Sequence, residues 1–173
     1  DPRELIAYDL IQKAVKLSDS ATENEKAYIQ ALSTRYTDNF RKDRIQFRKD
    51  YAEAMKKLTE TYVDDLDAAT LYTESAMDLQ PWDQWDENGN PREGTLEIVA
   101  ILESVLKRDP SHLGANHYYI HAVEASKNPE KALMSAERLR HMQIDSGHIL
   151  HMPAHIYLLV GDYHLAAECN EQA

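Results

Sequence analysis

The chain has 173 residues, which is the length of one domain or of an array of short repeats. Its 30 acidic and 19 basic side chains give a formal charge of -11, which argues against nonspecific binding to nucleic acid or anionic membranes. The single cysteine excludes an internal disulfide, and no apolar run approaches the roughly 18 residues of a membrane span. We therefore expect a soluble protein, cytoplasmic or periplasmic, that binds no nucleic acid and has no membrane span.

The spacing of apolar residues is helical along most of the chain and predicts an all-α protein. The first helix follows Asp1-Pro2, and the second follows a capping-box pattern that begins at Thr22 and includes Glu25. Further helices are expected over about 44–62, 66–79, 95–108, 113–126, 129–141 and 149–160, and from 163 onward. The segment 80–94 carries two prolines and two glycines, which predicts an irregular loop.

A repeat period relates two parts of the C-terminal half. Ala132 in KNPEKALMSAERL and Ala166 in VGDYHLAAECNEQA are 34 residues apart, the period of the tetratricopeptide repeat (TPR), a helix–turn–helix unit. In AHIYLLVGDYHLAAECNEQA, the recurrent small and aromatic residues of that repeat are matched by Tyr157, Gly161, Tyr163, Ala166 and Ala173. The chain thus resembles the TPR family over 113–173 and, more distantly, over 44–81, and is similar to a segment of large bacterial TPR proteins of undefined biochemistry.

The resemblance implies a right-handed α-solenoid of antiparallel helical hairpins. Residues 1–81 would form divergent hairpins and 95–173 clearer repeats, while the loop at 82–94 replaces a first helix and makes one repeat degenerate. We expect a single repeat domain over 1–173. We also expect it to be a fragment of a longer solenoid, because the sequence stops inside a predicted helix, whereas solenoids need a polar closing cap. The first helices of TPRs line a concave groove, so the expected function is a binding module for a peptide, a protein or a small ligand.

The histidines follow the same period. None of the eight occurs in the first 111 residues. HYYIH places His117 and His121 four residues apart, and HMPAH places His151 and His155 at the same spacing, 34 residues later. Residues four apart lie on one face of a helix. In the TPR register these places lie on the first helix and point into the groove, so the resemblance implies four imidazoles on one wall.

Four imidazoles on one wall are a candidate transition-metal site. Packed helix axes lie about 8–10 Å apart, a gap that two histidines can bridge to one ion at about 2.0–2.1 Å per bond. Such donors suit Zn, Cu, Ni or Fe, and His148 and Glu124 are further candidate ligands. Glu124 could instead accept a hydrogen bond from a ring N–H. The predicted ligand-binding groove comprises His117, His121, Glu124, His151 and His155.

Other interpretations of the histidines stay open. They could hydrogen-bond a peptide in a polar groove without any metal, or be satisfied within the fold. A metal-dependent enzyme is the alternative function, in which the histidines hold the ion and Glu124 acts as general base on a bound water. We favour the binding module, for which no catalytic residue is assigned. His112, His141 and His164 are expected to face solvent or to cap helices.

Two neighbouring features bear on this site. Trp82 and Trp85 predict a loop that packs over the missing helix, with an acidic lip to the groove, from Asp83 and Glu87, as the alternative. Pro153 lacks the N–H that would bond the carbonyl of Ile149. We expect either a kink there or, preferably, a helix that starts near Met152 and leaves His148 and His151 on a loop.

Overall fold

The computed structural model describes residues 2–38 and 44–173, and within these ranges it is all-helical, as predicted. Asp1, where the sequence predicts a helix cap, lies outside the described residues. The described part of the chain has no strand and only an isolated bridge between Trp85 and Pro91. Its helices are α1 (Pro2–Leu17), α2 (Glu23–Ser33), α3 (Arg44–Thr61), α4 (Leu66–Met77), α5 (Thr95–Arg108), α6 (Leu113–Val123), α7 (Leu133–His141), α8 (Gly147–Val160) and α9 (Tyr163–Gln172), with short 3-10 turns at Ser18–Ser20 and Pro129–Ala132.

The backbone divides into two compact units, Asp1–Leu79 and Gln80–Ala173. In the first unit each of the helices α1 to α4 packs against the next one along the chain. The predicted capping box starts α2, because Thr22 accepts from the N–H of Glu25 while the Glu25 carboxylate accepts from the N–H of Thr22. Asp65 caps α4 and also accepts from the hydroxyl of Tyr28 at 2.9 Å, which ties α2 to the start of α4.

The second unit contains α5 to α9. Neighbouring helices pack against each other, and α6 also packs against α8, although α7 lies between them in sequence. Leu102, Ile120, Leu139, Met152 and Ile156 are fully buried between these helices. Ala132 and Ala166, the pair that gave the 34-residue period, are both buried. Their small side chains are suited to close approach of helices, which is the role the repeat pattern assigns to them.

The helix α8 contains Pro153, so the expectation of a helix that starts near Met152 is wrong. The helix begins at Gly147, and its first turn is closed by the bond from the N–H of Leu150 to the carbonyl of Ser146 at 3.0 Å. The proline removes one later hydrogen bond, but its ring is fully buried, and that burial offsets part of the loss. His148 and His151 therefore lie on the helix and share it with His155.

The segment 80–94 is irregular, as predicted, and it is fixed to the second unit. Trp85 donates its indole N–H to the carbonyl of Ala122 at 2.7 Å, at the end of α6. The hydroxyl of Thr95 donates to the carbonyl of Gln84 at 2.6 Å. The loop therefore holds a defined position on α6, the helix that carries His117 and His121. None of the helices in the described ranges combines the length and apolarity that crossing a membrane requires.

Candidate metal centre

Five histidines and one glutamate gather where α6 meets α8, and we call them the histidine cluster. The helix α6 supplies His117 and His121, the residue after its end supplies Glu124, and α8 supplies His148, His151 and His155. Ring centroids are 4.9 Å apart for His117 and His121 and 4.7 Å apart for His151 and His155. Across the two helices, the rings of His121 and His155 are 5.8 Å apart. All the site residues predicted from the sequence therefore lie in one cluster.

Three members of the cluster form a tighter group, which we call the triad: His117, His121 and His148. One nitrogen from each ring can be chosen so that all three lie within 4.8 Å of one another. The Nε2 atoms of His117 and His148 are 2.9 Å apart. A tetrahedral ion with bonds of about 2.0–2.1 Å holds its nitrogens about 3.3 Å apart. To hold one, the pair at 2.9 Å would have to open slightly and separations of up to 4.8 Å would have to close. The sequence named His148 only as a further candidate; the fold puts it beside His117.

His151 and His155 form a pair next to the triad. Their Nε2 atoms are 2.9 Å apart. Asn170 donates its amide N–H to the carbonyl of Ala166, which turns its Oδ1 toward the Nδ1 of His151 at 2.5 Å. Because that oxygen can only accept, His151 donates from Nδ1, and its Nε2 is left to accept from His155. Asn170 was not among the predicted site residues, since a lone asparagine on a following helix has no recognisable spacing.

Glu124 links the triad to this pair. Its Oε1 lies 3.1 Å from the Nδ1 of His121 and its Oε2 lies 2.5 Å from the Nδ1 of His155. Burial alone would raise the pKa of Glu124, but the hydrogen bonds from the two rings outweigh it and lower the pKa to about 2. The ionised carboxylate holds the proton of His121 on Nδ1 and leaves Nε2 as the nitrogen with a free lone pair. This is the arrangement predicted for Glu124 as an acceptor for a ring N–H.

The cluster keeps two triad rings neutral. Burial, followed by the neighbouring histidines, lowers the pKa of His117 to about 4 and also lowers the pKa of His148. In contrast, the hydrogen bond to Glu124 raises the pKa of His155. Metal ions bind the neutral form of imidazole, so His117 and His148 need not lose a proton at neutral pH to act as ligands.

The loop at 80–94 contributes an aromatic ring to the edge of the cluster. The ring of Trp82 meets that of His121 edge-on, with centroids 5.3 Å apart, yet 78% of the Trp82 surface is exposed. Its φ of 61° is left-handed, which no other non-glycine residue in the described ranges adopts. Of the two tryptophans expected to anchor the loop, Trp85 does so through its bond to Ala122, whereas Trp82 is exposed. Asp83, one of the two residues of the alternative acidic lip, pairs with Arg92 at 2.8 Å, and Trp82 makes the ring contact with the cluster.

The remaining histidines lie away from the cluster. His112 caps α6, because its Nδ1 accepts from the N–H of Ala115 at 3.2 Å. His141 is exposed at the end of α7 and bonds Glu137 at 2.7 Å. His164 is exposed on α9. These positions agree with the expectation that the three face solvent or cap helices.

Comparisons of the chain with family models, with curated proteins and with solved structures find no match. The resemblance to the TPR family therefore rests on the residues and the 34-residue spacing given above.

Proposed function

We propose that this chain is a TPR-like binding module whose groove carries a transition-metal site at the triad. The observation that carries the proposal is the approach of three ring nitrogens, from two different helices, to within 4.8 Å of one another. Imidazoles are the commonest protein ligands of transition metals, and three of them leave a position on the ion for water or an exogenous ligand.

Packing in the second unit supports the TPR-like part of the proposal. In the repeat register, α6 and α8 would be the first helices of consecutive repeats, and they pack against each other. The residues that the register makes equivalent, His117 with His151 and His121 with His155, meet in one cluster. A repeat whose first helices line a groove would bring equivalent side chains together in this way. The right-handed twist and the extension of the solenoid beyond this chain stay predictions.

The donor set favours a borderline ion of the group Zn, Cu, Ni and Fe. All three triad donors are nitrogens, which bind these ions more strongly than they bind Mg or Ca. Glu124 would support the site without binding the ion itself, since both of its oxygens already face ring N–H groups. Such hydrogen-bonded carboxylates fix the orientation of a ligating histidine and increase its basicity.

The position of Glu124 favours a binding site over the alternative of a metal-dependent enzyme. A general base works best with a pKa near the working pH, whereas the pKa of Glu124 is about 2. Its two oxygens also already face the Nδ1 atoms of His121 and His155, so the carboxylate is held between two rings. Orientation of His121 is therefore the role we assign to Glu124.

Metal analysis of protein purified without a histidine tag tests the proposal directly. We expect about one Zn²⁺ per chain after loading, and a melting temperature that rises with Zn²⁺ concentration because a ligand of the folded state stabilises it. The double variant His117→Ala/His121→Ala should lose both effects, whereas His164→Ala, an exposed histidine outside the cluster, should lose neither. Less than about 0.1 ion per chain with unchanged melting, where mass action requires a shift, would overturn the metal site.

A further inference from the structure

A pocket adjoins the histidine cluster within the second unit. Its volume is about 440 Å³, within the range of sites that bind small molecules. One wall is polar and consists of residues from the cluster and its partner: Glu124, His151, His155 and Asn170. The other wall is apolar, with Leu158 and Leu159 from α8 and three alanines. The pocket is therefore amphipathic, and its polar wall is formed by members of the histidine cluster that lie beside the triad.

The apolar wall is largely open to solvent. Leu158 and Leu159 are 57% and 51% exposed, although they belong to the pocket lining. Ala154 and Ala166 are almost fully buried and, having short side chains, do not fill the space above them. An aliphatic chain of a ligand would cover the two leucines, and each methylene removed from water contributes to affinity.

The charges around the polar wall determine whether an anionic or a cationic head group of such a ligand is favoured. Glu124 is the only carboxylate of this lining, and both of its oxygens accept from ring N–H groups. A divalent ion on the triad would add two positive charges, which exceed the single negative charge of Glu124. The ring of His155 belongs to the pocket lining and lies 5.8 Å from that of His121. An anionic head group is therefore favoured there, and an ammonium group is disfavoured.

We propose that this pocket binds a small aliphatic carboxylate, with its head group toward the histidine cluster and its alkyl chain on Leu158 and Leu159. The preference for a carboxylate rests on the proposed metal site, whereas the affinity for an alkyl chain rests on the pocket alone.

Calorimetric titration of the Zn²⁺-loaded protein with butanoate, hexanoate and octanoate tests the alkyl chain. We expect the affinity to increase about fourfold per added methylene, which corresponds to the usual hydrophobic gain of about 0.8 kcal/mol. Octanol and octylamine, which have the same chain with a neutral or a cationic head, should bind at least tenfold more weakly than octanoate.

A matched pair of variants on α8 tests the location. Leu159→Asp places a charge in the pocket and should weaken octanoate binding at least tenfold while leaving Zn²⁺ affinity within about twofold. Val160→Asp is the control, because Val160 is exposed on the same helix but outside the pocket lining. Equal octanoate binding in the two variants, or its absence from the loaded wild-type protein, would overturn the proposal. Octanol or octylamine binding as tightly as octanoate would overturn the choice of a carboxylate.

Octanoate titration of the metal-free protein distinguishes failure of this inference from failure of the proposed function. If the chain takes up no Zn²⁺, the metal site fails whatever octanoate does. Octanoate binding to that metal-free protein, weakened by Leu159→Asp and not by Val160→Asp, would still support the alkyl pocket. Absence of octanoate binding there as well would overturn both.

Discussion

The Nε2 atoms of His117 and His148 lie 2.9 Å apart, although the two residues belong to different helices and are separated by 31 positions in the sequence. At that distance one ring must donate a proton to the lone pair of the other. Within the described ranges neither ring hydrogen-bonds a carboxylate, in contrast to His121 and His155, which both face Glu124. This contact is thus the part of the cluster in which an ion can replace a proton with the least rearrangement.

Substitution of His148 should therefore damage metal binding more than substitution of His151. We expect His148→Ala to lower Zn²⁺ affinity at least 100-fold, since it removes a proposed ligand. His151→Ala should lower it less than tenfold, because the ring of His151 hydrogen-bonds His155 and Asn170, which are not triad members. Loss of a group that hydrogen-bonds a ligand directly typically costs roughly 10–100-fold. His151 is further from the triad than that, because it is linked to His121 only through His155 and Glu124. Competition titration with a chromophoric chelator measures both affinities.

The opposite order of the two affinities would show that the ion is held by the predicted set of four, without His148. That outcome would restore the sequence-based assignment of His151 as a ligand. His164→Ala serves as the control, because His164 is exposed on α9 and is not a member of the cluster.

Metal binding should persist at a lower pH than binding to ordinary histidines. Three imidazoles with the usual pKa near 6.5 would lose about 1,000-fold in affinity between pH 7.5 and 5.5, since each must release a proton. Burial and neighbouring rings lower the pKa of His117 to about 4 and lower that of His148, so these two remain neutral through much of that range. We expect the measured loss of Zn²⁺ affinity to be less than about 100-fold. A loss near 1,000-fold would show that the rings titrate normally.

Most helix positions could be predicted from the sequence because local signals determine them. The capping box at Thr22 and the glycines and prolines of 80–94 act through the backbone nearby and mark boundaries without knowledge of the fold. Pro153 is the instructive exception. The hydrogen bond that it removes can be recognised from the local sequence. The burial of its ring in the second unit, which offsets part of that loss, depends on tertiary packing that no local pattern reveals.

The sequence was sufficient to predict which histidines form the cluster, but not which of their atoms contact one another. The 34-residue period placed His117, His121, His151 and His155 on equivalent helix faces, and these residues do meet. Which nitrogens face one another depends on ring orientation and on how far α8 extends toward its N-terminus. The early start of α8 brings His148 to His117. The partner of His151, Asn170, comes from α9 through a contact with no sequence signature.

Removal of the charge on Glu124 should destabilise the metal-free protein within a defined pH window. The pKa of Glu124 falls from its usual 4.5 to about 2, so its contribution is complete above pH 4.5 and is lost as the pH falls toward 2. The pKa of His155 is raised above 6.5, so its contribution is complete below pH 6.5 and is lost as the pH rises through the folded value. Both contributions are present between pH 4.5 and 6.5.

We therefore expect Glu124→Gln to lower the free energy of unfolding by about 1–3 kcal/mol near pH 5.5, the usual cost of breaking a charged hydrogen bond in a partly buried site. The loss should be smaller at pH 8.5 and at pH 3. Urea unfolding at the three pH values measures it, and Glu130→Gln, which removes a charge outside the cluster, is the control. A destabilisation that does not vary with pH would contradict a charged hydrogen bond between Glu124 and His155.

The two tryptophans of the loop at 80–94 should respond oppositely to substitution. Trp82 has a φ of 61° and is 78% exposed, so Trp82→Gly relieves backbone strain and sacrifices little burial. Such strain is worth about 1–3 kcal/mol, partly offset by the greater entropy of glycine in the unfolded chain. We expect unfolding free energies that are unchanged or up to about 1 kcal/mol higher.

Trp85→Phe should instead lower the free energy of unfolding by about 1–3 kcal/mol, because it removes the indole N–H that donates to the carbonyl of Ala122. That carbonyl belongs to the last turn of α6, where helical partners are missing. Guanidinium unfolding of both variants without metal provides the comparison. If Trp82→Gly is the more destabilising of the two, the contact between Trp82 and His121 holds the loop, and the strain at φ 61° is outweighed by it.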